Sequence, residues 1–247
     1  PGKIDPYSQT ITSVPNLKIL EGVTLAGPLS QNLNLPVAVE NDVNLIALGE
    51  QFKGAGKGYD NFACVYVGTG IGGGLILNGR LFVGADGAAG ELGHMPIVPE
   101  GLLCTCGTQG CLEMYCSGKA LARQATTILA EEGLVTNPST DDENWDMAAQ
   151  VFQAARKGNQ KAVAAINNAF YYLGLGVIQL ATIVNPRLVL LGGGILNAWP
   201  QGLAIVEQTV RKSASVPYKD TLVVKLAALK DEASFAGAFA IISQILK

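Results

Sequence analysis

Apolar and polar positions along the chain change their period several times, and each change marks an element. Residues 1–36 hold no sustained period; Pro1-Gly2, Asp5-Pro6 and Pro15-Asn16 break them into turns. Pro36-Val37-Ala38-Val39 is a short apolar run of strand type, ended by Glu40-Asn41-Asp42. Val43, Leu45, Ala47, Leu48 and Phe52 then recur at helical spacing, closed by Gly54, Gly56 and Gly58. Residues 62–67 read as a buried strand. Apolar runs at 75–77 and 80–83 flank Asn78-Gly79, the dipeptide that best suits a two-residue hairpin turn.

Beyond Glu113 the pattern turns helical, with helices expected near 113–131, 143–156 and 160–184. A second buried strand, residues 188–191, runs into Gly192-Gly193-Gly194. An amphipathic stretch near 200–214, a strand at Val223-Val224 and an Ala-rich helix at 231–246 complete the chain. Strands alternating with helices imply an α/β layered fold. The charge-free run 162–186 is long enough to cross a bilayer. It carries Asn167, Asn168 and Gln179 and has no flanking aromatic belt, so a buried core helix in a soluble protein is expected.

Composition narrows the function classes. Of 247 residues, 49% are apolar and 15% charged, which excludes a disordered chain and supplies a core. Thirty glycines with few aromatics suit close backbone packing and phosphate-handling loops. The net charge of −3 without a basic block argues against nucleic-acid binding. The chain opens on Pro1, not Met, so residues are expected to have preceded it, and no targeting segment is visible at that start.

Three constellations carry chemistry. Gly68-Thr69-Gly70-Ile71-Gly72-Gly73-Gly74 satisfies the dinucleotide pattern, but that motif needs a helix next. Here a hairpin follows, which leaves a strand–loop–strand turn whose backbone N–H groups either cradle phosphates or simply close a tight hairpin. His94, the one histidine, lies upstream of Cys104, Cys106 and Cys111, a Cys₃His set suited to tetrahedral zinc. Disulfides are the alternative; Cys64 and Cys116 fall outside the set and are expected to pack in the core. Asp42, at a strand-to-helix junction, is either a general base or a helix cap. Glu91 and Glu113 flank the cysteine segment and are either ligand-binding carboxylates or solvated loop residues.

Glu91-Leu92-Gly93-His94, followed by residues 104–113 with their Cys-x-Cys and Gly-Cys-Leu-Glu spacing, resembles the signature of the ROK family (repressors, open reading frames and kinases). Residues 39–44, 68–74 and 191–195 resemble its catalytic, phosphate and adenosine segments. The resemblance implies an actin-like ATPase, hexokinase-type (ribonuclease H-like) two-lobe fold. Residues 1–41 plus 232–247 would be a remnant of the small N-terminal lobe, and 42–231 the large lobe.

It implies Asp42 as the base, with Asn41, Glu91, His94 and Glu113 on the sugar and Gly2 and Asn16 lining the same site. Gly68, Thr69 and Gly70 would meet the phosphates of ATP with Mg²⁺, and Gly192, Gly193 and Gly194 the nucleoside. A structural Zn²⁺ would sit on His94, Cys104, Cys106 and Cys111. The family's Asp-x-Gly-x-Thr motif is absent, so the first lobe is expected to be truncated. Residues 84–95 look most like glucokinase members, although N-acetylmannosamine kinases share nearly all of them. The expected protein is thus a cytoplasmic, homodimeric or homotetrameric hexose kinase using ATP, with no membrane or nucleic-acid partner. The sugar-sensing body of a ROK repressor is the alternative.

Overall fold

The computed structural model describes residues 2–14, 17–130, 145–213 and 216–246. Pro1, Pro15, Asn16, residue 131, residues 143–144 and residue 214, on which parts of the expectations fall, lie outside the described residues. In chain order the elements are β1 (Lys3–Ile4), β2 (Ile11–Ser13), α1 (Ala26–Leu33), α2 (Asp42–Phe52), β3 (Phe62–Val67), β4 (Ile71–Leu77) and β5 (Arg80–Leu81). They continue with α3 (Glu113–Cys116), α4 (Gly118–Ala130), α5 (Trp145–Arg156), α6 (Gln160–Val184), β6 (Leu188–Gly192) and α7 (Gly194–Ala198). The last are α8 (Gly202–Ser213), α9 (Val216–Lys219), β7 (Val223–Leu226) and α10 (Ala233–Ile245). The protein is mixed α/β, as its alternating pattern implies.

Two compact units emerge. The first comprises Pro1–Val65, Gly72–Glu91 and Ala227–Lys247; the second comprises Tyr66–Ile71 and Leu92–Leu226. This grouping by compactness is a different partition from the lobe boundaries that the family resemblance implies.

In the first unit β1 and β2 form an antiparallel pair, and β4 and β5 form another through Asn78 and Gly79, both at positive φ. That hairpin is the one its dipeptide encodes. Two expectations fail here. The run Pro36-Val37-Ala38-Val39 joins no ladder; at its end the Val39 N–H, which a strand partner would need, is taken by the Gln9 side chain at 2.9 Å. Within the supposed turn region 1–36, residues 26–33 form α1. Pro28 falls in its first turn, where a missing N–H costs no helical hydrogen bond, and left-handed Asn34 ends it.

The centre of the first unit is the pair α2 and α10, which come together through glycines. A Cβ on Gly237 would overlap the Leu45 carbonyl, and one on Gly49 the Ala233 carbonyl. The fully buried carboxylate of Glu50 adds a polar tie. It accepts the Ala55 N–H at 2.7 Å and the Leu229 N–H at 2.8 Å, joining the end of α2 to the approach to α10. A buried carboxylate needs such donors, since leaving it unpaired costs several kcal/mol.

In the second unit β6 and β7 are parallel, in register from Leu188 opposite Val223 to Leu191 opposite Leu226. Every residue of β6 is buried, as a strand covered on both faces requires. Helix α6 buries Ala162, Ile166, Ala169, Leu173, Val177 and Leu180, one stripe at helical spacing. Among the described residues it is the one helix long and apolar enough to cross a membrane, and 44% of its apolar window is buried inside the protein.

The expected helix 113–131 is broken at Ser117, whose backbone is extended. Its hydroxyl accepts the Ala120 N–H at 3.2 Å, starting α4 afresh.

The glycine contact between α2 and α10 makes a signed prediction. Gly237→Ala raises helix propensity yet should destabilise the protein by about 1–3 kcal/mol, because the added methyl has nowhere to go. Gly27→Ala in α1, where a Cβ meets nothing within 4 Å, should be neutral or stabilising by up to about 1 kcal/mol. Thermal unfolding of the two variants measures both signs.

Candidate functional site

In the second unit the cysteine loop is folded by its own backbone. The Gly107 N–H reaches the Cys104 carbonyl at 3.0 Å, the Cys104 N–H reaches the Thr108 carbonyl at 2.8 Å, and Gly107 and Gly110 take positive φ. Gly110 is bonded to Leu102 and Ile97, and Leu112 to Met95, which lays residues 109–112 beside 95–97 and 102–103. His94, at the end of a 3₁₀ turn (Leu92–His94), is thereby brought to the cysteines.

The ligand atoms of His94, Cys104, Cys106 and Cys111 all lie within 4.8 Å of one another. His94 Nδ1 is 3.7 Å from Cys104 Sγ, and Cys106 Sγ is 3.6 Å from Cys111 Sγ. Tetrahedral Zn²⁺ with ordinary Zn–S and Zn–N bonds spaces its ligands by about 3.5–3.8 Å, so these pairs already stand at metal-binding separation. No disulfide joins the five cysteines.

Thr108, which the sequence pattern did not single out, places Oγ1 3.1 Å from Cys106 Sγ and 3.0 Å from Cys111 Sγ. For Cys106, burial raises the thiol pKa, but hydrogen bonds from Thr108 and the neighbouring thiols outweigh it and hold the group below its ordinary value. Cys111 moves the other way, through burial and the adjacent sulfurs. Cys64 and Cys116 are buried elsewhere, and burial pushes both thiols up, so they remain packing residues.

The glycine loop is held by the chain that follows the cluster. Glu113 accepts the Ile71 N–H on Oε2 at 2.8 Å. The first N–H groups of α4, on Gly118 and Lys119, donate to the carbonyls of Gly68 (2.8 Å) and Thr69 (3.2 Å). Within the loop the Gly68 N–H closes onto the Gly70 carbonyl at 2.9 Å. A Cβ on Gly70 would collide with the Glu113 carboxylate, so the small residue permits the grip. The second glycine segment is close by. Gly193, at φ 101°, passes so near Val67 that a Cβ would overlap the Val67 carbonyl. The structure thus brings Gly68, Thr69, Gly70, Glu113 and Gly193 into one neighbourhood of the second unit, with Gly192 at the end of β6 and Gly194 at the start of α7.

In the first unit Asn41 caps α2, its Oδ1 accepting from Val43 (2.8 Å) and Asn44 (3.3 Å), while its Nδ2 donates to the Gly2 carbonyl at 2.9 Å. Both ends of its amide are therefore engaged within the chain. Glu40 supports the cap, accepting from the Asn41 N–H and from Asn44 Nδ2, both at 2.8 Å. Asp42 is the first residue of α2 and is exposed, so the cap is Asn41 and the carboxylate beside it stands at the positive helix end. Glu91 is exposed at the close of this unit. Asn16 lies outside the described residues.

Comparison with known proteins gives one answer at the level of family. The pattern of the ROK family matches residues 1–245. A glucokinase of Halalkalibacterium halodurans is 35% identical over 222 residues, which cover 89% of this chain and 67% of that protein. The crystal structure of a ROK family glucokinase from Streptomyces griseus, in complex with glucose and AMPPNP, aligns with a TM-score of 0.82 at 33% identity. It covers 98% of this chain and 79% of that one. A ROK family transcriptional regulator, a homologue of the Escherichia coli MLC protein, aligns with a TM-score of 0.85 at 29% identity, over 100% of this chain and 61% of that one.

The donor set predicts zinc binding. Purified protein should carry about one zinc per chain by atomic emission, and Cys104→Ser should lose most of it. Acidification should release the metal, because protons compete with it for the donor atoms. A chain that holds no zinc at neutral pH would contradict this.

Proposed function

The chain belongs to the ROK family and has the actin-like ATPase, hexokinase-type fold of the ROK glucokinases, and on that premise we propose that it is an ATP-dependent sugar kinase acting on glucose in the cytoplasm. The observation that carries the reading is the glycine loop, strand–turn–strand rather than strand–turn–helix, gripped by the carboxylate that follows a Cys₃His cluster. A loop of this kind presents backbone N–H groups to phosphate oxygens.

In the reaction the oxygen of the glucose 6-hydroxyl attacks the γ-phosphorus of ATP. The bond from that phosphorus to the β–γ bridging oxygen breaks, and ADP leaves. Asp42, exposed at the start of α2, takes the hydroxyl proton. Asn41 fixes the turn that presents Asp42. Glu91, His94 and Glu113 are assigned to the sugar hydroxyls, and Gly2, whose carbonyl receives the Asn41 amide, supports the same turn.

Gly68, Thr69 and Gly70 are assigned to the phosphates and Gly192 to Gly194 to the nucleoside. Mg²⁺, when bound, neutralises charge on the β- and γ-phosphates. Zinc on His94, Cys104, Cys106 and Cys111 would have a structural part, fixing His94 and setting the loop that leads to Glu113.

A second reading has its own support. The likeness to a ROK transcriptional regulator is as close in fold as the likeness to the glucokinase, and the body of a sugar-responsive regulator would bind a hexose without turning it over.

Coupled detection of ADP release with glucose, mannose and N-acetylmannosamine as acceptors separates these readings. Turnover with glucose is expected, and hexose binding without turnover on any acceptor would move the assignment to the regulator. Asp42→Asn should lower kcat by about 10²–10⁴-fold while leaving the glucose dissociation constant within a few-fold. A large loss of glucose affinity would instead make Asp42 a sugar ligand.

A further inference from the structure

A glycine-rich turn has few ways to hold a shape, since it has almost no side chains to pack. Here each face of the turn is bonded to one short stretch, residues 113–119. Glu113 Oε2 accepts the Ile71 N–H, while the N–H groups of Gly118 and Lys119 donate to the Gly68 and Thr69 carbonyls. The stretch begins two residues after Cys111, the last cysteine of the cluster, and Leu112 between them is buried and bonded back to Met95. The path from the cluster to the loop is therefore a short length of chain, buried and hydrogen-bonded at Leu112.

We propose that Glu113 is a positioning residue for the glycine loop, and that through it the metal-binding loop sets the conformation in which that loop receives phosphate. Where nucleotide is concerned the inference rests on the function proposed above. A carboxylate offers two oxygens with about four acceptor positions, so holding the Ile71 N–H on Oε2 is compatible with Glu113 also meeting a sugar. The geometry explains why a glycine stands at 70, where any side chain would displace the carboxylate. It also explains why α3 and α4 are separate helices. Continuing one helix through Ser117 would spend the Gly118 and Lys119 N–H groups on helical partners and release the loop carbonyls.

The test compares Glu113→Ala with Glu113→Gln, because the Gln amide oxygen can still accept the Ile71 N–H. Hydrogen–deuterium exchange of ligand-free protein should show residues 68–72 exchanging about tenfold or more faster in E113A and within about threefold of wild type in E113Q. Exchange in residues 160–184 reports whether the fold is intact. If E113A does not fold, Glu113→Asp, one methylene shorter, serves in its place. AMPPNP affinity without sugar should fall about tenfold in E113A and be rescued in E113Q.

Removing zinc from wild type with a chelator should speed exchange at 68–72 as well as at 104–119. Unchanged exchange at 68–72 in E113A, or no rescue by E113Q, overturns the positioning role. Loosening confined to 104–112 after chelation, or a protein that takes up no zinc, overturns the metal link. If wild type binds no AMPPNP the proposed kinase function fails, and the exchange comparison still decides the role of Glu113.

Discussion

A backbone turn made of glycines is shaped by its hydrogen-bond partners, and the turn at residues 68–71 takes its partners from a segment some 42 positions away. That constraint organises the second unit. It requires a side chain of the right length at 113, a break at 117 so that two helix-starting N–H groups face the loop, and glycine at 70. The Gly193 backbone, close against Val67, adds a second turn beside the first. A substitution that lengthens any of these residues would act on the loop through its partners before it touched a ligand.

The cysteine loop obeys a different logic. Its members are close in sequence, and its own turns bring Cys104, Cys106 and Cys111 around the position that His94 faces. Hydrogen bonds from Thr108 stabilise negative charge on sulfur, whereas the isolated buried thiols of Cys64 and Cys116 are pushed toward the neutral form. The thiolate form is therefore favoured at Cys106 and disfavoured at Cys64 and Cys116. The difference comes from neighbouring donors and neighbouring sulfurs.

In the first unit the precision comes from contact between backbones. Helices α2 and α10 meet through Gly49 and Gly237, which lets peptide groups approach where side chains would hold them apart. The Glu50 carboxylate, wholly buried, is tolerable because two backbone N–H groups satisfy it. At the other end of α2 the Asn41 amide joins the helix start to the Gly2 carbonyl, so the residue beside it, Asp42, stands on a doubly anchored turn. The first unit thus presents one exposed carboxylate from a rigid helix end.

Much of this protein was legible in its sequence alone. The 78–79 hairpin, the buried strands β3 and β6, helix α6 and the Cys₃His set all depend on neighbours a few residues away, so period, turn chemistry and ligand spacing suffice to read them. Tertiary structure decided what depends on distant partners. The Pro36 to Val39 run joined no ladder and gives its last N–H to Gln9, and Glu50 found its partner 179 positions along the chain. Glu113 turned out to hold a glycine loop, and Asn41 to cap α2, with Asp42 Oδ1 sharing the Val43 N–H at 3.1 Å. A carboxylate or amide looks the same in a sequence whichever donor it meets. Only the fold selects the donor, and with it the role.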